Sequence, residues 1–196
     1  MTSILKVDSI QNAAGTVIMP VMAGGIIQTQ VHQEFGQADF GVAGTAGDDA
    51  LMNATRASDS STKVEVAITP TSASSKILVN VNLFYEWSGA GNEHELLFLL
   101  YRGATRLGAP RQGSRRGGIS PVTISYYSDD YNSTPASAHF QYYDTPNSTS
   151  ALTYTVAFNC SVTGSDYVRL NASISATNAI PYEDGMSIIT VQEIAQ

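Results

Sequence analysis

The chain has 196 residues, 43% of them apolar and only 14% charged, with a formal net charge of −7. That length suits one main domain with an appendage and leaves too little chain for two full cores. A chain with a net negative charge and only ten Lys and Arg is a poor general nucleic-acid binder, because tracking phosphates needs a marked basic excess.

Residues 1–33 hold three short extended segments, MTSILKVDSI, TVIMPVM and GIIQTQVHQ, separated by the turn-like NAAG and AGG. None has enough apolar area to stand alone, so 1–33 is expected to be an arm that docks on something or interleaves with copies of itself. Residues 34–62 read as a linker or a set of surface loops, since Gly, Ala, Asp and Ser recur there with no sustained period. A short turn over 48–56 is the nearest approach to a helix.

The main domain is expected over 63–196. Val64, Val66 and Ile68 open it, and TPTSASS turns the chain. Next, Ile77, Val79, Val81, Leu83, Tyr85 and Trp87 alternate with Lys76, Asn80, Asn82 and Glu86. Side chains in a strand project with period two, so this row places its large residues on one sheet face. LLFLLYRG is a continuous apolar run that predicts a fully buried strand ending at Gly103, and ATRLG its hairpin return. APRQGSRRGG, 109–118, reads as a mobile loop. Further strands are expected near 122–127, 138–142, 154–162 and 168–174, and SIITVQEI closes the chain. The pattern predicts an all-β fold, an antiparallel jelly-roll β-sandwich with an extended N-terminal arm.

Little in the chain suggests catalysis. Cys160 is the only cysteine, so no intrachain disulfide forms, and its place in the row Tyr154, Val156, Phe158, Cys160, Val162 makes it a small buried residue. His32, His94 and His139 lie in separate segments, and only His94 has close acidic neighbours, Glu93 and Glu95. Ser114 lies outside any G-x-S-x-G turn, and its Gly-rich loop lacks the Lys-Ser/Thr ending of a phosphate loop. Asp129–Asp130 and Glu183–Asp184 read as solvated turn carboxylates. The expectation is a protein that is not an enzyme, with no metal site and no cofactor. No apolar run approaches the length of a membrane-spanning helix, and no signal peptide or membrane insertion is expected.

Two clusters stand out as candidates for recognition. Arg102, Arg106, Arg111, Arg115 and Arg116 are five of the ten basic residues and fall within fifteen positions. They either face an anion, which guanidinium groups bind bidentately, or neutralise acidic neighbours. Tyr126, Tyr127, Tyr131, Tyr142 and Tyr143 surround Asp129 and Asp130, where rings could stack on sugars or simply fill strand and interface positions. Arg111, Arg115, Arg116, Tyr126, Tyr127 and Tyr131 are the ligand-binding candidates, because loops on a rigid sandwich usually carry such residues.

The opening SILKVDSIQNAAGTVIMP resembles a short N-terminal motif of structural proteins in tailed phages, especially marine and cyanobacterial ones. SSKILVNVNLFYEW, FLLYRGATRLG, LTYTVAFNCSV and SIITVQEI resemble the globular domain of phage tail-fibre and related virion proteins. Those domains are similar to the trimeric jelly rolls of complement globular heads and tumour-necrosis-factor-like ligands. The resemblance implies a virion protein, on the tail rather than the capsid surface, acting as a short tail fibre for host attachment. Its heads would form a homotrimer, and its arm, through Leu5, Val7, Ile10, Val17 and Ile18, would hold other virion proteins. The possible ligand is a host cell-surface glycan. The alternative is a capsid decoration or head-to-tail accessory protein.

Overall fold

The computed structural model describes residues 23–89, 96–122, 133–175 and 178–196. These residues form twelve strands in two six-stranded antiparallel sheets, with no helix among them. The first sheet is built on the long strand β5 (Lys76–Trp87). Strand β9 (Ala136–Asp144) lies along one edge of it, with Val81 opposite Phe140. Its other edge is shared end to end by β12 (Ser187–Ile194) and β11 (Tyr167–Leu170). Outside these run β1 (Ile26–Glu34), paired with β12, and β2 (Ala38–Gly41), paired with β11.

The second sheet is built on β10 (Leu152–Asn159). One edge of β10 pairs with β6 (Leu97–Arg102), the other with β4 (Glu65–Ile68) and β3 (Ala50–Leu51). Strand β6 in turn carries β7 (Thr105–Leu107), across a turn with Gly103 at φ 54°, and β8 (Ser120–Pro121). The two sheets meet at their margins, where β4 touches β1 and β12, and β8 touches β9.

Alternation decides what lies between them. Ile77, Val79, Val81, Leu83 and Tyr85 on β5 are fully buried, as are Tyr154, Val156 and Phe158 on β10 and Ile189 and Val191 on β12. Burying a side chain of this size stabilises the fold by about 1.5–3 kcal/mol relative to exposure. Tyr85 of the first sheet meets Phe98 of the second edge-to-face at 5.0 Å, and Phe98 stacks on Phe140 at 6.3 Å. These rings key the sheets together at a separation that suits the quadrupoles of both pairs. Cys160 faces this core, as its row predicted.

The domain boundaries differ from those the sequence suggested. Ile26–Glu34, placed in the arm, is a sheet strand, with Thr29 opposite Gln192 and Val31 opposite Thr190. The supposed linker 34–62 contributes β2, β3 and core residues Ala38, Phe40, Ala50 and Met52, none of them exposed. Each short strand finds its partner more than a hundred residues away, so its stability is invisible in its own segment. Two strand ends also move. Strand β10 stops at Asn159, and β11 stops at Leu170 because Asn171 turns the chain at φ 61°. The arm residues Leu5, Val7, Ile10, Val17 and Ile18 lie outside the described residues, as do His94 and all but Val122 of the strand expected over 122–127.

Candidate functional site

By parity, Leu99 on β6 and Ala157 and Asn159 on β10 point away from the core, yet all three are buried. Part of what covers that outer face is the loop joining β7 to β8. The loop is not free: its base is closed by Ala109 N donating to Gly118 O at 3.2 Å. Arg106 donates to the carbonyls of Ala109, at 3.0 Å, and Gly117, and Asn159 Nδ2 donates to Gly117 O at 3.2 Å. The paired glycines permit this close approach. A Cβ on Gly117 would stand 2.6 Å from Ala109 O, and one on Gly118 would stand 2.6 Å from Leu97 Cγ. The expected mobile loop is therefore a strap pinned to the sheet.

Its anchor is Asp49, whose side chain is only 6% exposed. Asp49 Oδ2 accepts from Arg106 Nε at 2.7 Å and from Tyr101 OH at 2.8 Å. Oδ1 accepts from Asn159 Nδ2 at 2.9 Å and from Arg111 at 3.3 Å. Burial works to raise the Asp49 pKa, but the hydrogen bonds from Arg106, Asn159 and Tyr101, with the Arg106 charge, overcome it and leave the pKa lowered. The neighbouring Tyr101 is pushed up to about 12, first by burial and then by donating to that carboxylate.

The five arginines divide between different tasks. Arg102 pairs with Asp144 at 2.5 Å at the margin of the sandwich, where Tyr154 OH also donates to Asp144 at 2.7 Å. Arg106 and Arg111 share Asp49, and Arg111 also donates to Gly47 O. Arg116 donates to Asn159 O at 3.4 Å. The Arg115 side chain is exposed and has no hydrogen bond or ion pair among the described residues. Arg111, Arg115 and Arg116 thus converge on one surface. A cleft of about 450 Å³ opens there, lined by Arg111, Ser114, Arg115, Arg116, Ser161 and the apolar Leu96, Leu97 and Pro121. A second, of about 430 Å³, shares Leu97, Arg115, Arg116 and Pro121. The other three candidates, Tyr126, Tyr127 and Tyr131, fall outside the described residues.

Sequence reasoning missed Asp49, which it placed in a linker, and Asn159, which it read as an ordinary polar position between core residues. The signal was an amide and a tyrosine among apolar neighbours on the outward side of β10 and β6, of which Asn159 is buried and Tyr101 half-buried. Glu183 and Asp184, read as solvated turn carboxylates, are exposed as expected. They also hold neighbouring segments: Glu183 accepts from Ser133 at 2.8 Å and Ser173 at 2.9 Å, and Asp184 from Gln37 at 2.8 Å. Gln37, Ser173, Glu183 and Asp184 line a polar cleft of about 340 Å³ with Arg169 and Tyr182. Among the described residues no three His, Cys, Asp or Glu side chains gather as metal ligands. His32 instead contacts Glu34 at 3.3 Å and Lys63 O at 3.1 Å.

No family model matches this chain, and no curated protein matches its sequence. Its chemistry rests on the geometry itself.

Proposed function

We propose that the chain is a non-enzymatic structural protein of a phage particle, a short tail fibre whose homotrimeric head attaches the particle to the host surface. The N-terminal motif supports the virion part of this reading. Strand order supports a jelly roll for the head. If β1 with β2, β3 with β4, β7 with β8 and β11 with β12 each count as one interrupted strand, eight strands remain. Their spatial order is then first, eighth, third, sixth in one sheet and second, seventh, fourth, fifth in the other, the order produced by rolling a long hairpin into a sandwich.

The observation that carries self-association is the outer face of the first sheet. Its rows across β9, β5, β12 and β1 read Tyr143–Leu78–Gln192–Thr29, Gln141–Asn80–Thr190–Val31 and His139–Asn82–Ile188–Gln33. No Asp, Glu, Lys or Arg stands in any of the three, although the chain carries 27 such residues. Tyr143 and Val31 are 54% and 52% exposed. A patch of amides, hydroxyls and apolar groups without charge, bounded by Lys76 and Glu86 at the two ends of β5, matches the core of a protein–protein interface, where charged residues are depleted and aromatic ones enriched. A closed trimer uses such a face on every copy. Several trimers on one particle then multiply a weak attachment by raising the effective concentration of each head.

Light scattering after size-exclusion chromatography is expected to give three times the 20.8 kDa chain mass. A monomer at micromolar concentration would overturn the trimer. Electron microscopy of intact particles then separates two roles for it: density at the tail favours attachment, and density on the shell favours decoration.

A further inference from the structure

The geometry points to the arginine groove as a binding site for an acidic saccharide, a sugar ring that bears a carboxylate or a phosphate. This deepens the attachment half of the proposed function and rests on it for biological meaning, though not for the binding itself.

Three features of the groove combine to select that chemistry. The first is an available cation. Arg115 is exposed and has no partner among the described residues, and Arg111, 39% exposed, is held by Asp49 so that its guanidinium stands at the cleft wall. Guanidinium groups bind carboxylate and phosphate oxygens through paired, charge-assisted hydrogen bonds. The second is an amphipathic wall. Leu97 and Pro121 offer an apolar surface to the C–H face of a ring, while Ser114 and Ser161 offer hydroxyls for its edge. An inorganic anion would have no use for the apolar part, and a neutral sugar none for the arginines. The third is size and rigidity. About 450 Å³ falls within the ~300–1,000 Å³ typical of ligand pockets. The strap that carries the arginines is pinned through Gly117 O, Ala109 O and Asp49, so little ordering is left to be done on binding.

The overall charge sharpens the argument. A chain of net charge −7 repels an acidic polymer at long range, so any contact with one has to be made at a local cationic surface. Among the described residues no Asp or Glu lines either cleft at the strap. A nucleic acid is the poorer fit, because it needs a basic track longer than one strap, with aromatic rings for the bases.

The test uses the purified full chain and isothermal titration at low and moderate salt. The probes are oligogalacturonate, oligomannuronate, glucose-6-phosphate, a neutral maltooligosaccharide and inorganic phosphate. At least one acidic saccharide is expected to bind, weakening with salt, with the neutral oligosaccharide at least about tenfold weaker, the order of one lost charge-assisted hydrogen bond. Arg115→Glu is expected to lower that binding by about tenfold or more while the melting temperature and the mass in solution stay unchanged. Three results would overturn the site: no binding by any acidic saccharide, equal binding by the neutral one, or full binding by Arg115→Glu. Inorganic phosphate that binds as tightly as the best saccharide would overturn the saccharide class. Because mass is read in the same preparations, a trimer that binds nothing sinks the groove and spares the trimer, whereas a monomer that binds does the reverse.

Discussion

The outer faces of the two sheets share one core yet carry opposite chemistry. On the first sheet the three central outward rows of β9, β5, β12 and β1 hold Tyr, Asn, Gln, Thr, His and apolar residues, with charge only towards the ends of β5, at Lys76 and Glu86. On the second, Glu65 pairs with Lys63 at 3.2 Å, and Asp49, Tyr101, Arg106 and Arg111 form a hydrogen-bonded cluster beneath the strap. Charge taken out of water costs several kcal/mol per ion unless it is paired and hydrogen-bonded. The second sheet supplies those partners from its own chain. The first sheet does so only at one end, where Arg169 pairs with Asp39 at 2.9 Å and Glu86 accepts from Thr134 and Ile174; its three central rows carry no charge, so in the proposed trimer a partner copy can cover them without burying an ion. Inward residues specify the fold, and outward residues specify what each sheet meets.

The sharpest way to break this contrast is to place a charge where none stands. Thr190 lies in the middle row between Asn80 and Val31, and Thr190→Asp would bury one unpartnered carboxylate per copy in the proposed trimer. At roughly 3 kcal/mol or more for each, the variant is expected to run as a monomer at micromolar concentration in light scattering. Ala67→Asp, on an exposed outward position of β4, is expected to keep the parent mass. A reversal of the two outcomes would assign self-association to the other sheet.

How much of this was legible follows from where each signal is stored. The rows of β5 and β10 were plain because period-two alternation is local and both strands are long. Strands β1, β2 and β3 were not, since Phe40 and Met52 are buried by β11 and β10, segments distant in sequence. The arginine cluster was visible as a run of residue types, but its division was not. Nothing in APRQGSRRGG says that Arg106 and Arg111 lean on Asp49 while Arg115 stays exposed, because that depends on a carboxylate some sixty residues upstream. Gly117 and Gly118 were read as flexibility. Their use here is to let the strap lie against Leu97 and the Ala109 carbonyl.

The next effect concerns the anchor of the strap. Asp49→Asn keeps the shape but removes the charge that Arg106 and Arg111 share, and is expected to cost about 2–4 kcal/mol in urea unfolding. The sign of the pH dependence follows from the same carboxylate. Its folded pKa lies below the ordinary 3.8, so its stabilising contribution is complete above that value and is lost as the pH falls through the lower, folded one. Glu193 adds in the same sense. Although burial works to raise the pKa of Glu193, the hydrogen bonds from Gln28 and from the Thr71 side chain and backbone outweigh it and leave the pKa lowered from 4.5. The urea midpoint is therefore expected to fall steadily below about pH 4.5, and less steeply in Asp49→Asn. An unchanged slope in that variant would mean that Asp49 carries little of the acid sensitivity.

The smallest effect tests whether the second sheet keeps a cation in reserve. Arg106 and Arg115 belong to the same strap and differ in what they touch. Arg106 reaches Asp49 and the carbonyls of Ala109 and Gly117, whereas Arg115 reaches no described side chain. Arg106→Ala leaves a buried carboxylate and two carbonyls short of donors, and is expected to cost about 2–3 kcal/mol. Arg115→Ala is expected to change stability by less than about 0.5 kcal/mol, as exposed substitutions away from such networks do. Thermal melts of the two variants side by side give the comparison. Equal losses would mean that Arg115 also holds the fold, and the outer face of the second sheet would then spend all its charge on itself. Unequal losses leave Arg115 as a positive group that folding does not require, standing at the mouth of a cleft.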